Sequence, residues 1–427
     1  MLDQNSESGK HRAHLRRNVI ALWIDSASFG MAMGFMGYST VLPALAAALT
    51  NNSEPLVGLI NSLFAGMWLL PQLPAGRWMA SHPRKKPALV YASVIGRSGI
   101  AVLAIALAAR LHPIMLFVML ALLTSLFRAM DAVASVAWFD LISKVIPINL
   151  RGRVLGALQA GAFSLQFIAS FIVVWALGSS GPEFPTNYAL LFGIAAVGLL
   201  VSLIALTTLI EHPADVTNNI SAQMKIGAHV RHVLKSDRNF RLIVVARLLI
   251  GGVALAIPFY VLHATEVLRV PQDSIGLFLA AQTIGGVIAS VIFGAVSERR
   301  GPRVVVRISM IIAAIPPIGA LVLSSIGVGN PALAQIGYVI VFAALGATDG
   351  SMLLGFGSFV LDIAPPSERT AYMGLANTIT GILVIAPTIG GFILQSTSYP
   401  VLFIVAGLGP LVGLWLAMKL PQVKYEG

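Results

Sequence analysis

The sequence predicts an all-α integral membrane protein: twelve transmembrane helices in two pseudo-symmetric six-helix bundles. Three observations carry this expectation: the apolar content, the length of the apolar runs, and an internal duplication. Of 427 residues, 57% are hydrophobic and 11% charged, and mean hydropathy is +0.86. Soluble domains carry about 25% charged residues. A single soluble core stops growing near ~250–300 residues, so a water-soluble enzyme of this length has nowhere to hide that much apolar surface. The composition also excludes a disordered chain. Without cysteine there is no disulfide scaffold, iron–sulfur centre or thiolate metal site.

A bilayer core about 30 Å thick takes about 20 apolar residues per helical crossing. The chain opens on a polar, basic stretch, 1–17, ending His14-Leu15-Arg16-Arg17 and expected as a cytoplasmic tail. No short apolar run with a small-residue cleavage site follows, so the first apolar stretch belongs to the mature protein. Hydropathy then places six helices at 18–48, 55–79, 87–110, 113–146, 152–178 and 186–210. Six more fall at 241–266, 273–297, 302–327, 332–363, 370–396 and 398–420, and 421–427 is a second tail. The domains are thus an N-terminal bundle, 18–210, a linker, 211–240, and a C-terminal bundle, 241–420. In the linker, Ile220, Met224, Val230, Val233 and Leu234 alternate with Lys225, Arg231 and Lys235. That pattern reads as an amphipathic helix on the membrane surface, with a solvated loop as the alternative. A membrane β-barrel would show ~10-residue alternating segments instead of long apolar runs.

The formal charge of +11 is a topology signal. With the N-terminus inside, nearly all of the 28 Lys and Arg residues fall on the cytoplasmic side, Arg110 and Arg269 fall outside, and Arg97, Arg128 and Arg247 lie within helices. The partner of the basic excess is therefore an anionic inner leaflet and not nucleic acid. The expected location is the cell (inner or plasma) membrane, multi-pass, with both termini cytoplasmic.

A shift of 218 residues superposes parts of the two halves. Gly58 meets Gly276, Gly76 meets Gly294, Asp131 meets Asp349, Pro147 meets Pro365, Arg151 meets Arg369 and Gly156 meets Gly374. Asp, Pro and Arg are scarce in so apolar a chain, so their agreement carries the weight. Duplicated halves suggest two bundles with a cavity between them, as in many secondary transporters.

On these residues the sequence resembles the major facilitator superfamily over essentially 18–420. That family's loop between helices 2 and 3 reads roughly Gly-x-x-x-Asp-Arg-x-Gly-Arg. The second-half copy is similar, with Gly294, Glu298, Arg299, Gly301 and Arg303 in place. The first-half copy keeps Gly76, with Arg84, Lys85 and Lys86 at its basic end, but Ala80 and Ser81 replace the acid–base pair and Pro83 the second glycine. The segments from Pro147 to Gly156 and from Pro365 to Gly374, with Arg151 and Arg369, resemble the family's helix 4–5 and 10–11 loops. The resemblance implies a gating role for these loop residues.

Six charges stand inside predicted helices: Asp25, Arg97, Arg128, Asp131, Arg247 and Asp349. A charge at mid-bilayer costs roughly 2.5–3.5 kcal/mol on insertion scales, so such residues face water or a partner. Arg128 and Asp131 share one helix face, and Arg97 lies at similar depth. The run Arg128-Ala129-Met130-Asp131-Ala132 resembles the family's Arg-x-x-Gln-Gly motif, which the resemblance links to proton coupling. Asp131 is expected as a proton carrier governed by burial and by Arg128 or Arg97, which act on a carboxylate in opposite senses. The alternative is a permanent ion pair holding helices 3 and 4 together. Asp25 and Arg247 sit at equal depth, which permits either a bridge between bundles or two snorkelling side chains. Asp349 is the repeat partner of Asp131. In the family, helices 1, 4, 7 and 10 line the cavity, so the resemblance lifts Asp25, Asp131 and Asp349 together.

Gln159, Gln166, Gln282 and Asn377, with Arg247, are candidates to line a substrate cavity, and the amides serve equally to join helices. The Ala386-Pro387-Thr388-Ile389-Gly390-Gly391 run predicts a bend with close packing. No Gly-x-x-x-x-Gly-Lys-Ser/Thr, Gly-x-Ser-x-Gly or His-Glu-x-x-His pattern occurs, and His229 and His232 read as solvated. The expectation is no enzyme, no metal and no cofactor. The chain reads as a monomeric secondary transporter in a lipid bilayer, working by alternating access and driven by protons. A small organic or amphipathic solute is favoured, moving by export. The alternatives are uptake of an anionic metabolite held by Arg97 or Arg128, and a non-transporting receptor or lipid scramblase.

Overall fold

The computed structural model describes residues 2–80, 82–211, 237–365 and 368–421. Among them every regular element is helical. The expected linker helix falls, but for its ends, outside the described residues, with His229 and His232. Eleven helices among the described residues are long and apolar enough to cross a membrane. The remaining crossing is the first, where Asn18 and Asp25 dilute the apolar run and the helix is interrupted. The chain forms two compact units: Met1–Gly37 with Leu63–Asn219, and Tyr38–Ser62 with Ile220–Gly427. They do not follow the two halves of the sequence, because Tyr38–Ser62 pack within the second unit.

The first unit contains α1 (Leu2–Phe35), the end of α3 (Glu54–Leu69), α4 (Gln72–Ala80), α5 (Lys86–Ala108), α6 (Pro113–Val145), α7 (Ile148–Leu177) and α8 (Thr186–Thr207). α1 begins well before the expected start at 18. It packs against α7 and α8, and α5 packs against α6 and α8. Small residues set these approaches, as expected where apolar contact with lipid competes equally with contact between helices. A Cβ on Gly30 would stand 2.6 Å from the Ala162 backbone, and one on Gly96 2.8 Å from Met130 Cβ. Ile105, Leu122 and Val197 point outward, each more than 60% exposed, which suits a lipid solvent and not water.

The second unit contains α2 (Val41–Leu49), the start of α3, α9 (Arg238–Ile250), α10 (Ile257–Leu262), α11 (Ser274–Arg300), α12 (Pro302–Ile326), α13 (Pro331–Ser351), α14 (Ser358–Ile363), α15 (Arg369–Thr380), α16 (Ala386–Ser396) and α17 (Tyr399–Met418). Its core is aromatic: Phe278 stacks on Phe342 at 4.8 Å and Tyr260 on Phe403 at 5.4 Å. Three expected helices are interrupted. The seventh passes through a 3₁₀ turn, Gly251–Leu255, where two glycines disfavour the α-helix and Pro258 leaves the Ala254 carbonyl without its N–H partner. It ends in a π-turn, His263–Val267. The tenth carries a π-turn at Met352–Gly357. The eleventh carries a 3₁₀ turn at Gly381–Ile385, just before Pro387, where a bend is expected. Pro316 and Pro317, in contrast, lie inside an unbroken α12. The first crossing breaks at 36–40, and the offset of 218 carries these positions onto 254–258, at the break of the seventh. Non-helical backbone at membrane depth persists only where protein or a wet cavity satisfies it.

Candidate functional site

Two groups of intramembrane charge are present, one in each unit. In the first unit, Asp25 on α1 is only 5% exposed. Its Oδ2 accepts from Trp138 Nε1 at 2.9 Å and its Oδ1 from the Ser202 hydroxyl. Arg97 Nη2 lies 3.6 Å from Oδ1, and Arg97 Nη1 donates to the Leu199 carbonyl at 3.2 Å. The set ties α1, α5, α6 and α8 together and leaves the carboxylate saturated. Gly198 makes this possible, since a Cβ there would stand 2.9 Å from Met31 Cε and 3.2 Å from the Ser28 carbonyl. Within its own unit, Arg97 takes the aspartate that equal depth had left open to Arg247.

Arg128 and Asp131 form an ion pair at 3.2 Å along one face of α6, with side chains 14% and 17% exposed. Arg128 Nε also donates to the Phe64 carbonyl at 3.1 Å, and its guanidinium lies 4.6 Å from the Phe64 ring centre and 5.5 Å from that of Trp68. The pair is therefore internal to one helix and anchors α3. Its hydrogen bond does not reach helix 3, but Arg97 of that helix attracts Asp131 at longer range. Neither Arg97 nor Arg128 is left without a carboxylate to receive an anionic solute.

In the second unit Asp349 stands near the end of α13 and is exposed. Its Oδ2 accepts from Tyr38 Oη at 2.7 Å and from Gln282 Nε2 at 3.4 Å. Ser39 Oγ donates to Gln282 Oε1 at 2.6 Å. Tyr38 and Ser39 belong to the break at 36–40, so the interruption of the first crossing delivers them. Gly346 lets α13 approach α11 at this point, because a Cβ there would collide with the Gln282 carbonyl. Arg247, half-buried in the last turn of α9, donates from Nη1 to Asn377 Oδ1 at 2.8 Å. Among the described residues no carboxylate lies within 4.0 Å of it. Arg247 and Asp349 line one cavity of about 220 Å³, otherwise walled by residues such as Ile250, Val253, Leu345 and Leu383. Its hydroxyls are engaged on their own helices, Thr348 to Ala344 and Thr380 to Ala376.

The remaining expected residues are dispersed. Gln159 is exposed on α7, and Gln166 is half-buried, with its Cγ 3.2 Å from a Cβ built on Gly34. Among the described residues, Gly76 has only Val136 near its Cβ direction. In the second-half loop, Gly301 ends α11 at φ 81°, a conformation that disfavours any side chain, and Pro302 starts α12. Gly294 is half-buried, and Glu298 and Arg299 are exposed. Arg303 is half-buried and Arg369 exposed. Arg151 donates to the Ser143 carbonyl at 2.8 Å, capping the end of α6. Arg84 is exposed, whereas Lys85 is buried.

Besides Tyr38, Ser39, Trp138 and Ser202, two further residues were not singled out by sequence. Glu211, its side chain 3% exposed, accepts from the backbone N–H groups of Lys85 and Lys86 at 2.8–3.0 Å. A carboxylate at the start of α5 complements the positive end of the helix dipole, and Lys144 lies 3.5 Å away. It brings an acid to the loop whose own acid–base pair is missing. A lone acid closing an apolar helix beside a basic loop was the available signal. His263, 1% exposed, places Nδ1 2.5 Å from Tyr338 Oη and Nε2 3.1 Å from Ser324 Oγ. Its signal was a histidine within an apolar run.

Comparison with solved structures agrees with the helical architecture. The chain is similar to the nucleoside transporter NupG, at a TM-score of 0.71 and 14% identity over 95% of this chain and 100% of that one. It is similar to a bacterial homologue of the iron transporter ferroportin in an inward-facing state, at 0.70 and 14% over 95% and 98%. It is also similar to the xylose transporter XylE from E. coli in an inward-open conformation, at 0.67 and 15% over 96% and 98%. No curated protein matches the chain in sequence. The family model described as Major Facilitator Superfamily matches residues 26–269 and 242–426. The chain belongs to the Major Facilitator Superfamily and is a multi-pass membrane transporter, not an enzyme.

Proposed function

We propose that the protein is a secondary active transporter that works by alternating access and couples a small organic solute to protons, with Asp349 as the group that takes the proton. One observation carries the reading. Of the three aspartates in the six-charge set, Asp25 and Asp131 are held by arginines, while among the described residues Asp349 is held only by the neutral donors Tyr38 and Gln282. A carboxylate without a fixed cation is free to exchange a proton as its surroundings change, whereas a fixed cation holds the ionised form. Asp131, bound to Arg128, is the secondary candidate, and the loop residues Gly294, Glu298, Gly301 and Arg303 remain candidates for gating.

The test is flux in proteoliposomes under an imposed pH gradient. Asp349→Asn is expected to abolish the gradient dependence, with Asp131→Asn reducing it. If both variants keep that dependence intact, the proton assignment is wrong. Export of a neutral amphipathic solute and uptake of an anionic one differ in what they need from the cavity. Arg247, without a carboxylate partner among the described residues, favours the anion.

A further inference from the structure

The six charges of the membrane interior divide unevenly. Asp25 with Arg97, and Asp131 with Arg128, close as ion pairs in the first unit. The two left over are of opposite sign, lie in the second unit and line the same cavity: Arg247 and Asp349. Arg247 has five N–H donors, and among the described residues only Nη1 is used, on Asn377. Asp349 receives both of its hydrogen bonds on Oδ2, so among the described residues Oδ1 takes none. Among the described residues the titratable group in contact with this aspartate is Tyr38, from the break in the first crossing, beside the neutral Gln282 of α11; Arg247 of α9 lines the same cavity without pairing with it.

From this we infer that the substrate is a small monocarboxylate with an apolar body, bound together with one proton so that the cavity stays electrically neutral. This rests on the proton-coupled reading above. Arg247, oriented by Asn377, takes the substrate carboxylate, a planar acceptor that matches the guanidinium fork. Ile250, Val253, Leu345 and Leu383 take the apolar body. The cavity, about 220 Å³, suits a small solute.

Charge balance then gives the coupling. Empty, the cavity holds one guanidinium and one ionised carboxylate, and is neutral. Loaded, it holds the guanidinium, the substrate anion and a protonated Asp349, and is again neutral. With the proton alone it is positive, and with the anion alone negative. A net charge in the middle of the bilayer is disfavoured by about 10²-fold on insertion scales. The half-loaded forms are therefore the ones that fail to cross, and proton and anion move together. The cycle carries no net charge.

The experiment uses the full-length protein with matched probes. Thermal stabilisation in detergent is measured with nicotinate against nicotinamide and with lactate against lactamide, and flux is measured in proteoliposomes under separate pH and voltage gradients. Carboxylates are expected to bind about 10²-fold more tightly than their amides, and their flux to follow pH and ignore voltage. Arg247→Gln abolishes the preference, and Arg247→Lys, which keeps the charge, retains part of it. Asp349→Asn leaves the loaded cavity neutral but the empty one positive. Exchange of anion for anion then survives while net, pH-driven flux is lost about 10²-fold. No carboxylate binding at millimolar concentration, a preference for the amide, a preference for amino acids over simple carboxylates, or voltage-driven flux each overturns the inference. Carboxylate binding with flux indifferent to pH sinks the proton reading and leaves the substrate class standing. Flux of a neutral solute that depends on pH and on Asp349 does the reverse.

Discussion

Removing one member of the Asp25–Arg97 pair tests whether that pair holds the structure or works the transport cycle. The perturbation is Asp25→Asn. The carboxylate is 7% exposed and the arginine 10%, with 3.6 Å between them, and Trp138 and Ser202 both donate to the same carboxylate. The asparagine leaves Arg97 a buried cation without a counter-ion. Breaking a buried pair in this way costs about 3–5 kcal/mol. Asparagine also offers one acceptor oxygen where two donors converge, which adds about 1 kcal/mol or more for the group left unmet. At ~2–4 °C per kcal/mol for a unit of this size, the melting temperature in detergent falls by about 10 °C or more. The discriminating variant is the pair Asp25→Asn with Arg97→Gln. It removes both charges, so it recovers a large part of what either single change loses. Thermal unfolding of the purified protein reads this, with flux in proteoliposomes alongside. If the single variants melt as the parent does but stop transport, and the double variant restores neither, the pair belongs to the transport cycle and the structural argument fails.

Two further outcomes follow from the packing. Gly346→Ala drives a Cβ into the Gln282 backbone carbonyl, so α11 and α13 must move apart. The expected loss is about 1–3 kcal/mol, with a larger effect on flux because Gln282 is displaced from Asp349; unchanged flux in a stable variant would contradict the role given to that hydrogen bond. Glu211→Gln removes the charge that meets the Lys85 and Lys86 amides and lies near Lys144. Protease protection of the 82–86 loop is expected to fall together with stability by about 1–3 kcal/mol, and full protection would show that the loop is held by other contacts.

The helices were legible because a bilayer demands about twenty apolar residues at a stretch, and the chain spells that out with few interruptions. The six charges within the membrane-spanning helices were legible for the same reason, as anomalies in apolar runs. Their partners were not. Trp138 and Ser202 are unremarkable in a helical pattern, and the choice of Arg97 for Asp25 depends on how α1, α5 and α8 pack. That Arg97 and Arg128 are each matched by an aspartate was not legible either. The break at 36–40 left only a faint mark, Gly37 beside polar residues, yet it places Tyr38 and Ser39 in the Asp349 network. Pro387 signalled the interruption of the eleventh helix, while Pro316 and Pro317 gave the same signal without consequence. A proline removes one hydrogen bond, and whether the helix yields depends on what packs around it.

The most direct measurement is infrared difference spectroscopy of the protein in lipid, on addition of a transported carboxylate at constant pH. A new carbonyl band of a protonated carboxylic acid is predicted, absent in Asp349→Asn and retained in Asp131→Asn. A band that survives in Asp349→Asn and vanishes in Asp131→Asn would move the proton to the α6 pair and contradict the account.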